Sequence, residues 1–154
     1  MAHRIEVSSK IRDMRAEVKR KKLLQAGFPI DNLQLVDAYT IDSELSKEEL
    51  EDVSLMLSNP ISQEVGVDKP IPRLGFAYAV EIGFLPGVTD NVAHTAREGI
   101  QDLLRKENGA VYTSQTMFLS GPIMGKDAIK IGESFANPLI QSIKVKSYWE
   151  FKRD

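Results

Sequence analysis

Stretches of strict apolar–polar alternation and stretches of helical period follow one another along the chain. Together they predict two passes of strand, helix, strand, helix, strand. Alternation marks a first strand from Arg4 to Ser8 and a second from Asn32 to Ile41. Between them a helix covers Asp13 to Gln25 and ends near Gly27, a residue suited to a helix C-terminus. The next helix has an explicit start, because Ser46 and Glu49 form a capping box ahead of Leu50, Val53 and Leu57. Asn59-Pro60 ends it, since a proline ring crowds helical backbone at the residue before it. The second pass opens with a strand from Ala77 to Phe84. Pro86 and Gly87 then make a turn, and Thr89 or Asp90 caps a helix that runs to about Leu104. Val92, Ala96, Ile100 and Leu103 form its expected apolar stripe, which leaves His94 on the polar side. A strand from Ala110 to Leu119 leads to a further helix that ends at Asn137-Pro138. The last alternating run is long. Ile143, Val145, Ser147, Trp149 and Phe151 share one face, and Lys144, Lys146, Tyr148, Glu150 and Lys152 the other. A strand of that length predicts pairing beyond its own unit, with the other half or with a partner.

The two passes match in detail. Asn59-Pro60-Ile61-Ser62-Gln63 recurs as Asn137-Pro138-Leu139-Ile140-Gln141, each followed by a Val/Ile alternation. The same offset carries Leu33 and Leu35 onto Val111 and Thr113, and Leu50, Val53 and Leu57 onto Ala128, Ile131 and Phe135. Nearer the front, Ile5-Glu6-Val7 corresponds to Val80-Glu81-Ile82 at a slightly different spacing. The division is a first repeat at 1–68, a linker at 69–75 and a second repeat at 76–154. The expected fold class is α+β. Each repeat is a small sheet with helices on one face, and the pair packs sheet to sheet as an intrachain pseudo-dimer.

Bulk composition narrows the function classes. A chain of 154 residues can bury a core as one domain or two small ones. Its 20 basic residues against 22 acidic ones give a net charge of −2, which argues against a nucleic-acid partner. The absence of cysteine removes disulfides, thiolate metal sites and cysteine nucleophiles, and fits a reducing cytoplasm. No apolar run approaches the roughly 18 residues of a membrane span, so no membrane partner is expected. Charge is nonetheless uneven. Residues 10–22 hold seven Lys and Arg, and residues 42–52 hold six Asp and Glu. Such a split suits either a docking patch or two helices that pair across their exposed sides.

Candidate catalytic chemistry is sparse. Two histidines without cysteine are a poor zinc or iron site, and His3 and His94 lie far apart in the sequence. Gly121-Pro122-Ile123-Met124-Gly125-Lys126-Asp127 has the look of a phosphate loop but fails on spacing. Proline removes a backbone donor, and Asp127 stands where magnesium would need a hydroxyl, so a turn into a helix is expected instead. Asp37 and Asp42 are single acids without an evident partner. Duplicated α+β units of this size also suit a small-molecule regulatory module, with ligand held between the copies. No metal, cofactor or catalytic residue is assigned to this chain.

Gly83 to Val92, with Pro86, Gly87 and Asp90, followed by Thr95-Ala96-Arg97-Glu98, resembles the start of PurS, the small subunit of phosphoribosylformylglycinamidine synthase. The family's ending, a helix closed by Asn-Pro and then an aliphatic residue and a strand, is similar to the segments at Asn59, Pro60 and at Asn137, Pro138 and Gln141. A tandem pair of such units resembles the PurS-like region of fused PurSL-type enzymes. The first repeat departs from the pattern, with Lys10-Ile11-Arg12-Asp13 in place of the Pro-Gly turn. The resemblance implies a non-catalytic role in purine biosynthesis: bridging a PurL-type synthetase, which carries ATP and magnesium, and a PurQ-type glutaminase. It also implies a covalent substitute for the family's usual dimer, free to form a homo-oligomer. The interface or structural candidates are the Pro86, Gly87, Asp90 and Arg97 segment, the two Asn-Pro turns, and Tyr148 and Trp149 of the final run.

Overall fold

In a computed structural model, residues 2–71, 73 and 75–153 are described. Pro72 and Leu74, within the expected linker, and the ends Met1 and Asp154 lie outside them. The first half contains β1 (Ala2–Ser9), α1 (Met14–Gln25), β2 (Asn32–Asp42), α2 (Lys47–Leu57) and β3 (Gln63–Val67). The second contains β4 (Tyr78–Phe84), α3 (Asn91–Leu104), β5 (Val111–Ser120), α4 (Gly125–Phe135), β6 (Gln141–Ser147) and a short α5 (Tyr148–Arg153). The fold is α+β. Six antiparallel strands form one sheet in the order β3-β1-β2-β5-β4-β6. In each half the first strand lies between the other two, and β2 pairs with β5 along its length, from Asn32↔Ser120 to Ile41↔Val111.

Alternation decides which side chains enter the core. Ile5 and Val7 of β1, with Ile41 and Val111, meet Val53 of α2 and Ala93, Ala96 and Ile100 of α3. Leu33 and Leu35 of β2, Val80 of β4, and Met117 and Leu119 of β5 meet Leu23 of α1 and Ile131 of α4. All these strand residues lie on one face of the sheet. The four long helices therefore cover a single face. The expected sheet-on-sheet packing does not occur, because the apolar face of each half is already covered. The halves join edge to edge instead, which satisfies the backbone donors and acceptors of β2 and β5.

Two further expectations are corrected. The last strand stops at Ser147 and does not reach the other half. Ser147 Oγ accepts from Glu150 N at 3.3 Å, and Glu150 Oε1 accepts from Ser147 N at 3.0 Å. This capping box starts α5 and breaks the alternation. Phe151 then turns onto Phe76 and Phe118, each ring centre 5.4 Å away, while Trp149 is 75% exposed. These rings, with Val36, Ile71 and Ala79, form a small cluster on the outer face, which the four long helices leave uncovered. On α3 the inward stripe is Ala93, Ala96 and Ile100, with Val92 and Leu103 exposed. Asp90 sets that phase by accepting from Ala93 N at 2.9 Å and from Thr113 on β5. Among the described residues, no helix is long and apolar enough to cross a membrane.

Candidate functional site

Beside that aromatic cluster, the side chains that alternate away from the core make the outer face polar. β1 sends out Arg4 and Glu6, β4 sends out Glu81, β5 sends out Ser114 and Thr116, and β6 sends out Lys144 and Lys146. Arg4 links the two halves. Its Nε donates to Glu6 Oε2 at 3.0 Å, and its Nη2 donates to Glu81 Oε2 at 3.2 Å. Glu81 Oε2 also accepts from Ser114 Oγ at 2.8 Å, and Glu6 Oε1 accepts from the linker amide of Ile71 at 3.0 Å. Burial opposes the charge on Arg4, but its bonds to Glu6 and Glu81 outweigh that and raise its pKa. Burial likewise works against ionised Glu81. The Ser114 hydroxyl and the Arg4 charge overcome it and hold Glu81 below the usual carboxylate range.

Around this network lies a cleft of about 440 Å³. Lys69 and Pro70 of the linker wall one side, Phe151 of α5 walls another, and Thr40 and Thr116 lie along the sheet. At its rim Asp68, with φ at 57°, accepts from Arg4 N at 2.9 Å and bonds His3 Nδ1 at 2.8 Å. Lys69, Lys144 and Lys146 bring cations to the cleft. The arrangement can hold an anionic group against these lysines. Glu81, held ionised, is not a proton donor there. Among the described residues, no group of three or more His, Cys, Asp or Glu is placed to hold a metal.

The residues singled out from the sequence are dispersed. Pro86 and Gly87 make a turn, with Gly87 at a φ of 82°. Asp90 is the α3 N-cap. Arg97 clamps a loop, donating to Asn108 O at 2.9 Å through Nη2 and to Gly109 O at 3.1 Å through Nε. Asn59-Pro60 and Asn137-Pro138 sit at opposite edges of the sheet, ahead of β3 and β6. Each is tied by a glutamine: Gln63 Oε1 accepts from Asn59 N at 2.7 Å, and Gln141 Oε1 accepts from Asn137 N at 2.8 Å. Ile61 and Leu139 stand exposed at the two turn tips, at 88% and 83%. Tyr148 packs on Phe76, their centres 4.9 Å apart. None of these residues lines the outer-face cleft. His94 is exposed and pairs with Glu98 at 3.1 Å, and Gly121 to Asp127 is a turn into α4.

Arg4, Glu6, Glu81 and Lys144 were missed as a site. Their outward alternation was legible, and Glu6 and Glu81 stand at corresponding positions. Nothing local says that β2 and β5 pair and bring the two carboxylates to one arginine. The charge split also resolves differently from the pairing of two helices. Among the described residues no ion pair joins α1 to α2. Arg15 of α1 instead donates to Asp37 on β2 at 2.9 Å, and Glu49 of α2 takes Lys106 at 2.7 Å. No protein-family model matches the chain, and no curated protein is significantly similar to it.

Proposed function

We propose that the chain is a tandem pair of PurS-like units and serves as a non-catalytic assembly subunit of phosphoribosylformylglycinamidine synthase. In this reading it bridges a PurL-type synthetase and a PurQ-type glutaminase, so that ammonia from glutamine reaches formylglycinamide ribonucleotide. The observation that carries the reading is the agreement of sequence offset with strand register. The offset from Asn59 to Asn137 also carries Asp37 to Gln115, and those two residues are direct partners in the sheet. Gln115 Nε2 donates to Asp37 Oδ1 at 3.0 Å. A twofold axis relating the halves would pass through that pair. The same offset carries Val65 and Val67 of β3 to Ile143 and Val145 of β6, which face Ile82 and Val80 as the first pair faces Val7 and Ile5. The twin Asn-Pro turns agree bond for bond. The finer fold reading, two small sheets joined as an intrachain pseudo-dimer, rests on the same correspondence.

The test is size-exclusion chromatography with light scattering. The chain is run alone and then with PurL- and PurQ-type proteins in the presence of glutamine and ADP. A defined complex, with ammonia transfer dependent on the chain, is expected. Hydrolysis of glutamine or ATP by the chain alone, or elution apart from both proteins, overturns the reading. One observation favours a second reading, a small-molecule regulatory module: the outer-face cleft takes Arg4 from one half and Glu81 and Lys144 from the other. Saturable thermal stabilisation by purine nucleotides or amino acids would select that reading.

A further inference from the structure

The two halves differ where their helices meet. Counted from the N-caps Asp13 and Asp90, the inward Ala16 and Leu23 of α1 correspond to Ala93 and Ile100 of α3. On the same count Lys19 and Lys22 stand where α3 has Ala96 and Gly99. The small residues let α2 approach α3 closely. Met56 Sδ lies 3.2 Å from where a Cβ on Gly99 would be. At the corresponding place, where α1 runs beside Phe135 of α4, these positions are lysines. A groove of about 530 Å³ opens there, with Met14, Val18 and Phe135 as its apolar lining and Arg15, Lys19 and Lys22 as its cations. No carboxylate lines it.

Arg15 is paired with Asp13 and Asp37, but the lysines are poorly compensated within the chain. Lys19 Nζ sits 4.4 Å from the centre of the Phe135 ring. Burial, with repulsion from Lys22 and Arg15, lowers its pKa. Lys21 and Lys22 have no acidic partner among the described residues. Met14 and Val18 are 60% and 49% exposed. Elsewhere on the same molecule is a helix of opposite character. Glu48, Glu51 and Asp52 of α2 are exposed, have no cationic partner among the described residues, and flank Leu55, itself 59% exposed. One chain thus carries a basic apolar groove and an acidic apolar helix that do not meet each other.

We propose that the groove between α1 and α4 receives the exposed face of α2 from a second copy of this chain. The carboxylates of Glu48, Glu51 and Asp52 would take the lysine ammoniums, and Leu55 would enter among Met14, Val18 and Phe135. This is the helix-in-groove mode, with charge setting specificity. Reciprocal seating gives a closed dimer, and one-way seating gives a chain of copies. The proposal does not depend on the PurS-like reading and tests a different surface.

Sedimentation velocity tests it, on the full chain at about 100 µM, in about 50 mM and about 1 M salt, where the screening length falls to about 3 Å. Association above the 17.2 kDa monomer mass is expected at low salt, lost at high salt. The double variants K21E/K22E and E51K/D52K should each remain monomeric, because each carries like charges on both surfaces. Mixed one to one they should associate again, since each acidic surface then meets a basic one. That restoration also shows that neither variant has misfolded. A wild-type monomer under all conditions overturns the proposal. So does association that both charge reversals leave unchanged, or a mixture that stays monomeric. Binding of a synthetic α2 peptide by an otherwise monomeric chain would assign the groove to a different acidic helix and also overturn self-association.

Discussion

Arg4→Met is the sharpest probe of the outer-face network, because methionine keeps an apolar stem and removes the guanidinium. Two charge-assisted bonds are lost, one to Glu6 and one to Glu81. Fully buried bonds of this kind contribute about 1.5–3 kcal/mol each, and exposed ion pairs about 0–1. Arg4 is 41% exposed, so solvent screens both, while Glu6 and Glu81 are only 10% and 27% exposed. The carboxylates keep other donors, Ile71 N and Ser114 Oγ, so neither is orphaned. A loss of roughly 1–3 kcal/mol at pH 7 follows.

The pH dependence separates charge from packing. Glu81 titrates below its ordinary range in the folded protein, so its stabilisation is present above the unfolded carboxylate pKa. It is lost as pH falls through the folded value. The gap between wild type and Arg4→Met should therefore shrink from pH 7 to pH 3, read by urea denaturation with circular dichroism. A gap that is the same at both pH values would refute the electrostatic account and assign the loss to the packed stem.

Three other outcomes are expected. A Cβ on Gly109 would sit 1.8 Å from Asp42 O, whereas one on Gly99 would meet only the flexible end of Met56. In urea melts Gly109→Ala should therefore cost on the order of 3 kcal/mol and Gly99→Ala should be near neutral or stabilising. Gln63→Ala and Gln141→Ala each remove one exposed bond to an asparagine amide, and should each lower stability by about 0.5–1 kcal/mol, equally for the two turns. Ser147→Ala removes the α5 cap at a cost of about 1 kcal/mol. The emission of Trp149, the chain's single tryptophan, should report loosening of α5 before the main transition in that variant.

What the sequence makes legible is local. Ser46 with Glu49 marks the start of α2, the Asn-Pro pairs mark the ends of α2 and α4, and alternation marks β1, β2, β4 and β5. The physical reason is that caps, proline sterics and two-residue periods act over four or five residues. The misreadings arise where two local rules compete or where a distant strand decides. Alternation from Gln141 onward runs through Ser147, yet Ser147 with Glu150 is also a capping box, and the box wins because Tyr148 and Phe151 find Phe76 and Phe118. The edge-to-edge joining of the halves and the meeting of Glu6 with Glu81 at Arg4 depend on β2 finding β5, which no short window contains.

The correspondence between the halves makes their departures informative. At inward positions such as Leu23 and Ile100 the halves keep apolar residues, because both must cover the same kind of sheet face. At Lys19 and Lys22, against Ala96 and Gly99, they part without any demand from the core. Lysine at a helix–helix contact costs side-chain entropy and desolvation. Alanine at both positions would close the groove at no loss of helix propensity. The cations therefore reduce packing within the chain while creating a surface that attracts carboxylates. Lys19 recovers part of that cost through its ammonium over the Phe135 ring, and filling of the groove from outside would supply the rest. A variant with Lys19→Ala and Lys22→Ala should accordingly be more stable than wild type by urea denaturation, and unable to associate. If it is instead less stable, the lysines are part of the fold's own packing, and the asymmetry between the halves needs no partner to explain it.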